Sequence, residues 1–500
     1  MIRWAVIASF AWQILLPATA ARAEDAPTAE SAPNVLIFLI DDLGWSDIGS
    51  NGSTFYDTPH LDQLAASGVQ LTHFYSSHPV CSPTRASLMT GRDPQKVGIT
   101  DWIHPSSGIA LPHEEVTLGE MFASGGYDTA WFGKWHLGES DADLPTQHGF
   151  QTIVGVNRAG QPASYYFPYA RKDGQSSIWN VPDFEDGKSG DYLTDQLTSR
   201  IIRFLSERGN DGKVGGRPFL IGCGHYAVHT PIQPPPTLVQ KYRDRRMQLY
   251  GTTKTPVLPG RFETTSRGRQ DDPDYAAMIE NLDANIGRVV EALETSGLHR
   301  NTIIIFTSDN GGLCNLAKGQ PGPTCNLPLR SGKGWNYEGG IRVPCLISWP
   351  AELKPARLET PTRTADLYPT LAELCGFSRS HSDSEKPAAE DLKSPQINEA
   401  MDGRSLAKLL RGELDETLTD RWQGWYYPHD HGSGHRASAA VRRGRWKLIH
   451  YLASQESELF DLEADPGESV NLASEQPEIA AQHLRALNGW IQTGSWPESP

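Results

Sequence analysis

Beyond its first two dozen residues, the chain contains no stretch approaching the roughly 20 apolar residues needed to cross a bilayer, so no stable membrane span is expected. It is also poor in cysteine. Cys81, Cys223, Cys314, Cys325, Cys345 and Cys375 are scattered and form no CxxC pair, which excludes a disulfide scaffold and the common zinc spacings. Positive charge is in deficit as well: 45 Lys and Arg face 60 Asp and Glu, a formal net charge of −15. Such a field opposes binding to nucleic acid and to anionic lipid. An anionic substrate would therefore need a local cationic pocket. There is no internal repeat.

What is present suits a large globular enzyme. Five hundred residues exceed one small core, so a large domain with a smaller companion is expected. Hydrophobic residues at 38%, with 14 Trp, 16 Tyr and 15 Phe, are ample for the interior. Residues 1–23 have the form of an export signal. Arg3 supplies the charge, Ala5–Leu16 is apolar apart from Ser9 and Gln13, and Ala21-Arg22-Ala23 offers a small-x-small cleavage site. This places the mature protein in the periplasm or outside the cell; a retained anchor is the alternative. Loss of Arg3 and Arg22 would take the net charge from −15 to −17.

Four segments share one plan, an apolar β-type run that ends in polar chemistry. Val35–Ile40 leads into Asp41-Asp42, Thr129–Phe132 into Gly133-Lys134-Trp135-His136, Phe219–Cys223 towards His225 and His229, and Thr302–Thr307 into Asp309-Asn310. Short continuous apolar runs suit strands covered on both faces, as in a parallel sheet. Ligands of such sheets bind beyond the carboxyl ends of the strands. Helical spacing appears over Pro59–Ser67, Thr84–Thr90, Ala276–Thr295 and Thr364–Leu374, so the class is α/β. The expected organisation is a catalytic domain over 34–378, an exposed Ser/Glu/Lys/Pro-rich linker or insertion over 379–398, and a small subdomain over 399–500. In that subdomain Ala437–Tyr451 and Glu458–Leu462 read as strands and Pro477–Gln492 as a closing helix.

The most specific motif is Cys81-Ser82-Pro83-Thr84-Arg85-Ala86-Ser87-Leu88-Met89-Thr90-Gly91-Arg92. It reads as a small residue on a Pro-initiated turn at a helix start, with Arg85 one turn along. Free N–H groups and the helix dipole favour an oxyanion there. A thiolate is one reading of Cys81, but the spacing to Arg85 does not fit the C-x5-R loop of a tyrosine phosphatase. Asp41, Asp42, Asp309 and Asn310 supply only oxygen donors, a set for a hard cation, Ca²⁺ or Mg²⁺. Each pair alternatively caps a helix or turn. His225 and His229 have HxxxH spacing, yet Pro231 follows too closely for a helical zinc pair. Cys223 and Cys345 lie in apolar runs as inert thiols, whereas Cys314 and Cys325 flank a Gly/Pro-rich loop where a disulfide is an open alternative.

CSPTR followed by ASLMTGR resembles the first signature of the type I sulfatases, of the alkaline phosphatase superfamily, and Gly126–His136 resembles their second. The resemblance runs from Asn34 to about Trp490. It implies an alkaline-phosphatase-like fold: a large, mostly parallel sheet flanked by helices, with a small C-terminal antiparallel sheet and a helix. It also implies that Cys81 is oxidised to formylglycine by a separate formylglycine-generating enzyme, and that Asp41, Asp42, Asp309 and Asn310 hold calcium, with Mg²⁺ the lesser choice. One hydroxyl of the aldehyde hydrate would attack sulfur and the other would then expel sulfate, splitting one hard displacement into two easier steps. By the same resemblance Arg85 holds the hydrate, and Lys134, His136, His229 and Lys333 contact sulfate or the leaving oxygen. Either His229 or Lys333 would protonate the leaving alcohol. Lys333 heads Gly334-Trp335-Asn336-Tyr337-Glu338-Gly339-Gly340-Ile341-Arg342, another sulfatase-like run.

Substrate choice is expected from Trp425-Tyr426-Tyr427-Pro428-His429-Asp430-His431, where aromatic faces suit sugar rings and His429 and His431 suit hydroxyls; a packed aromatic turn is the alternative. This segment and Thr100-Asp101-Trp102-Ile103 resemble polysaccharide-acting members. The expected substrate is a sulfated carbohydrate or an aryl sulfate. A phosphonate or phosphodiester hydrolase on the same scaffold, and a catalytically silent binder of sulfated glycans, are the rival readings.

Overall fold

The computed structural model describes residue 1 and residues 32–171, 177–209, 216–316, 320–377 and 396–497, with 208 and 209 by backbone alone. The export-signal reading and most of the 379–398 linker reading fall outside these residues. The strands of the main sheet are β1 Asn34–Ile40, β2 Val69–Leu71, β3 Asp128–Gly133, β4 Thr152–Val154, β5 Phe219–Gly224, β6 Thr302–Ser308, β7 Cys345–Ser348 and β8 Ala356–Leu358. They lie in the order β8-β2-β7-β6-β1-β5-β3-β4. The neighbours β6, β1, β5, β3 and β4 all run parallel, and β7 runs antiparallel between β6 and β2.

The four apolar runs fold as these central strands because each buries both faces. Val35, Ile37 and Leu39 of β1 enter one core, and Leu36, Phe38 and Ile40 enter the other. On the first side lie α2 (Cys81–Thr90), α3 (Leu118–Ser124) and, later in the chain, the helix Leu367–Leu374, whereas α1 (Pro59–Ser67) packs Leu61 and Leu64 into the second core. On the second side lie α4 (Leu193–Gly209), α5 (Pro236–Tyr250) and α6 (Pro273–Thr295). α6 starts three residues before the expected Ala276. Asp272 caps it by accepting from the Asp274 and Tyr275 N–H groups, and Pro273 occupies the first turn where no N–H is needed.

The C-terminal sheet is antiparallel, with β9 Gln423–Tyr427, β10 Ser438–Arg443, β11 Trp446–Tyr451 and β12 Ser457–Asp461 in chain order. The expected single run Ala437–Tyr451 is a hairpin. Gly444, at φ 55°, turns the chain without interrupting the alternation that made it read as one strand. One face packs Val441, Leu448 and Leu459 against Leu487 and Trp490 of the closing helix Pro477–Thr493. The other packs Trp425, Ile449 and Phe460 against Trp335, Tyr337 and Ile341, the segment that follows Lys333. Lys447, fully buried there, pairs with both Glu338 and Glu468 at 2.9 Å.

Candidate active site

Because β1, β3, β5 and β6 are adjacent and parallel, their carboxyl ends deliver Asp41-Asp42, Lys134 to His136, His229 and Asp309-Asn310 to one edge of the sheet. α2 begins with Cys81 itself rather than with the expected Thr84, and Cys81 and Arg85 are both buried. The Arg85 guanidinium donates to Asp309 Oδ2 (2.8 Å from Nε) and to the Lys134 carbonyl (2.8 Å). Burial opposes its charge, but Asp309 and Asp41 outweigh burial and raise its pKa.

Lys134 Nζ meets both Asp41 carboxylate oxygens at 2.8 Å. Lys333 Nζ meets Asp42 Oδ1 at 2.7 Å, and His229 Nε2 lies 3.6 Å from Asp42 Oδ2. Burial pushes Asp41 up to about 7 despite Lys134. Burial also acts to raise Asp42, but Lys333, His229 and Lys134 together hold it well below the usual carboxylate range. Burial pulls His229 down to about 3 and raises the Cys81 thiol. His136 hydrogen-bonds the Ile103 carbonyl through Nε2 (3.1 Å), which leaves Nδ1 as an acceptor 3.2 Å from Cys81 Sγ. Asp42 and His136 both sit at positive φ, 63° and 61°, a backbone cost of about 1–3 kcal/mol each that clusters at functional positions.

The cation donors expected from the sequence lie together. Asp42 accepts from Asn310 Nδ2 (2.8 Å), and its own N–H donates to Asp309 Oδ1 (3.3 Å). Among the described residues, Asn310 Oδ1 is buried without a partner. Donor atoms of Asp41, Asp42 and His229 lie within 4.8 Å of one another. Three buried carboxylates, an orphaned amide oxygen and a raised Asp41 fit a hard divalent cation, which prefers such oxygen donors. His229, expected as a substrate contact and as one of two candidates to protonate the leaving alcohol, stands at this cluster too. His225 does not: its ring stacks on Phe38 (6.4 Å, 7°) and both nitrogens are buried.

The rim joins both sheets. Ile103 N–H donates to Ser82 Oγ (3.0 Å) while its carbonyl holds His136, so the Thr100–His104 loop is fixed to the catalytic turn. On its other side Tyr427 OH donates to Asp101 Oδ1 (2.9 Å) and His429 Nε2 meets Thr100 Oγ1 (3.0 Å). Trp102 and His104 rings pack 3.6 Å apart beside His136. His431 is half-buried, and burial together with Lys333 draws its pKa down to about 4. Gly334 makes room for it, since a Cβ there would lie 2.2 Å from His431 Nδ1 and its φ is 83°. Asp101 and Trp102 were not singled out as site residues by the sequence, because nothing local shows that their loop is held by Ser82 and His136. Among the described residues Cys314 and Cys325 are free, buried thiols, so the disulfide left open by the sequence is not formed.

Buried cations and oxygen donors gathered at the carboxyl edge of a doubly covered sheet suit an enzyme acting on an anionic substrate. The family profile described as Sulfatase matches residues 33–377, and that described as N-sulphoglucosamine sulphohydrolase, C-terminal, matches 331–488. The chain is 31% identical to arylsulfatase A of Bos taurus, over 92% of this chain and 87% of that protein. A sulfatase of Formosa agariphila is 27% identical over 97% of this chain and 94% of its own length. Among solved structures, Ps i-CgsB in complex with k-i-k-neocarrahexaose superposes with a TM-score of 0.73 at 27% identity, covering 94% of this chain and 95% of that one. The chain belongs to the sulfatase family and is a sulfuric ester hydrolase.

Proposed function

We propose that this enzyme removes sulfate from sulfated carbohydrates, using Cys81 oxidised to formylglycine and a divalent cation, calcium by preference, at Asp41, Asp42, Asp309 and Asn310. The observation that carries the proposal is the closure of Cys81, Arg85, Lys134, His136, His229 and Lys333 around those donors. Cys81 Sγ marks the position that an oxygen of the hydrated aldehyde would occupy. When bound, the cation would neutralise sulfate oxygens and lower the pKa of the attacking hydroxyl.

The chain's own residues do the rest. Arg85, fixed by Asp309, orients the oxygen at position 81. His136 Nδ1, kept free by the Ile103 carbonyl on the other nitrogen, accepts a proton there. Lys134 and Lys333 bring positive charge to the sulfate, and His229 or Lys333 gives a proton to the leaving alcohol. The carbohydrate reading is supported by the aromatic and histidine rim, Trp102, His104, His429 and His431, which suits a sugar ring and its hydroxyls, and by the neocarrahexaose held by the similar structure. The form of residues 1–23 supports export to the periplasm or beyond. The test is a panel of sulfated galactans, sulfated glycosaminoglycan fragments, phenyl sulfates and a phosphodiester. Release of sulfate from saccharides at the highest kcat/KM is expected. Preference for phenyl sulfates would overturn the carbohydrate assignment, and preference for the phosphodiester would overturn the ester class.

A further inference from the structure

β4 pairs in parallel with β3, with Val154 opposite Phe132, so the chain leaving β4 emerges beside the segment that carries Lys134 and His136. Residues 155–163 form neither helix nor strand there. Such a stretch needs other partners for its buried polar groups, and one side chain supplies several. Asn157 is buried. Its Nδ2 donates to the Gln161 carbonyl (2.8 Å) and to the Trp179 carbonyl (3.2 Å), and its Oδ1 accepts from the Ala159 N–H (3.2 Å). The residues on both sides of Gly160 are thereby fastened to a single amide. Tyr226, three residues before His229, anchors the start of the loop. Its OH donates to the Gly155 carbonyl (3.0 Å) and accepts from the Asn157 N–H (3.1 Å).

Gly160, so held, faces the ring of His136. A Cβ at Gly160 would stand 2.3 Å from His136 Cε1, 2.7 Å from Nδ1 and 2.8 Å from Nε2. That point lies over the face of the imidazole, because a point beyond Cε1 in the ring plane would be much farther from the nitrogens than from the carbon. The φ of Gly160 is outside the left-handed region, so its own backbone does not call for glycine. The ring does. The edges of the imidazole are already taken, Nε2 by the Ile103 carbonyl and Nδ1 by Cys81 Sγ. With both nitrogens and one face held, the ring keeps the tautomer and the plane in which Nδ1 points at position 81.

We propose that Gly160 and Asn157 are positioning residues for sulfate ester hydrolysis: the Gly160 backbone backs the His136 imidazole, and Asn157 holds Gly160 against it. A side chain at position 160 must either push the ring off its two partners or break the fastening to Asn157. Both residues act through His136, and the proposal rests on the reading of His136 as the group that accepts a proton at position 81.

A double-mutant cycle in the full-length enzyme tests it, with kcat for the best substrate of the panel normalised to the aldehyde content of position 81. Gly160→Ala should lower kcat about a hundredfold, the scale of an ångström's misplacement of a catalytic group, with KM within about twofold of wild type. In a His136→Ala background the atoms that meet the added methyl are gone, and the same substitution should change kcat by less than about twofold. Gly160→Ala should likewise lower the melting temperature only while the ring is present. Equal kcat losses in the two backgrounds would overturn the role of Gly160, since a loop that merely needs glycine to fold does not sense the ring; so would wild-type kcat in Gly160→Ala. Asn157→Ala adds no atoms and should lower kcat about tenfold at unchanged KM; unchanged kcat would remove Asn157 from the proposal. Wild-type kcat in His136→Ala alone would fail the reading of His136 itself. The melting temperatures would then judge the contact, and an equal fall in both backgrounds would overturn it.

Discussion

At the residue scale the account turns on Cys81 and the groups that crowd it. Cys81→Ala removes the atom from which the nucleophile would be made and leaves only a small buried space. Sulfate release should fall by at least about a thousandfold with an unchanged circular dichroism spectrum; turnover within tenfold of wild type would refute the role. Gly334→Ala tests the packing that places His431 beside Lys333. The added methyl meets His431 and strains a left-handed backbone position, so stability should drop by about 1–3 kcal/mol and KM should rise, measured by denaturant melts and steady-state kinetics. Wild-type KM in that variant would mean that His431 does not help to shape the substrate pocket.

At the scale of elements, the C-terminal sheet supports the catalytic edge through one buried cation. Lys447 reaches Glu338, which opens the short helix behind Lys333, and Glu468, whose carboxylate also accepts from the Glu338 N–H at 2.6 Å. Lys447→Ala would strip buried Glu468 of its cation and leave Glu338 to Tyr75 and Arg342, a loss of about 3–5 kcal/mol in urea unfolding. A loss below 1 kcal/mol would show that water or rearrangement takes over. The strands and helices that position the site were legible because their apolar runs end abruptly in polar residues. That Asp41, Lys134, His229 and Asp309 share one edge took the strand order of the structure to establish, because the sequence shows the strands and not their neighbours. The rim was legible as separate segments, His429 and His431 in one and Thr100–Ile103 in the other, but the contacts that join them were not. Asp101 meets Tyr427, and Thr100 meets His429, across more than three hundred residues, and no local pattern encodes such a contact. The single-strand reading of Ala437–Tyr451 failed for the opposite reason, since a tight turn preserved the alternation.

At the scale of the whole molecule, buried histidines weaken the fold as pH falls, against the opposite effect of buried carboxylates such as Asp41 and Glu468, which burial raises to about 7. Burial draws His225 down to about 4 and His78 and His435 to about 3. The folded state keeps them neutral, while the unfolded chain protonates them near 6.5. Their contribution to stability is full above that value. It is lost as pH falls towards the folded values, at about 1.4 kcal/mol per pH unit for each group. Chemical denaturation between roughly pH 7.5 and pH 5 should show this slope, and His225→Phe, which keeps the stack on Phe38 and removes two unpartnered nitrogens, should make it shallower. An unchanged slope would move the acid sensitivity elsewhere. Removal of metal, verified by elemental analysis, should abolish activity and be reversed by Ca²⁺; full activity without metal would remove the cation from the account.

The central claim is that Cys81 acts only after oxidation, which makes activity depend on a maturation step that this chain does not perform for itself. The most direct test is mass spectrometry of the peptide containing Cys81, taken from a preparation whose sulfatase activity has been measured. Aldehyde at position 81, in a fraction that tracks specific activity across preparations, is the predicted result. Fully active enzyme in which position 81 carries only the unmodified thiol would contradict it.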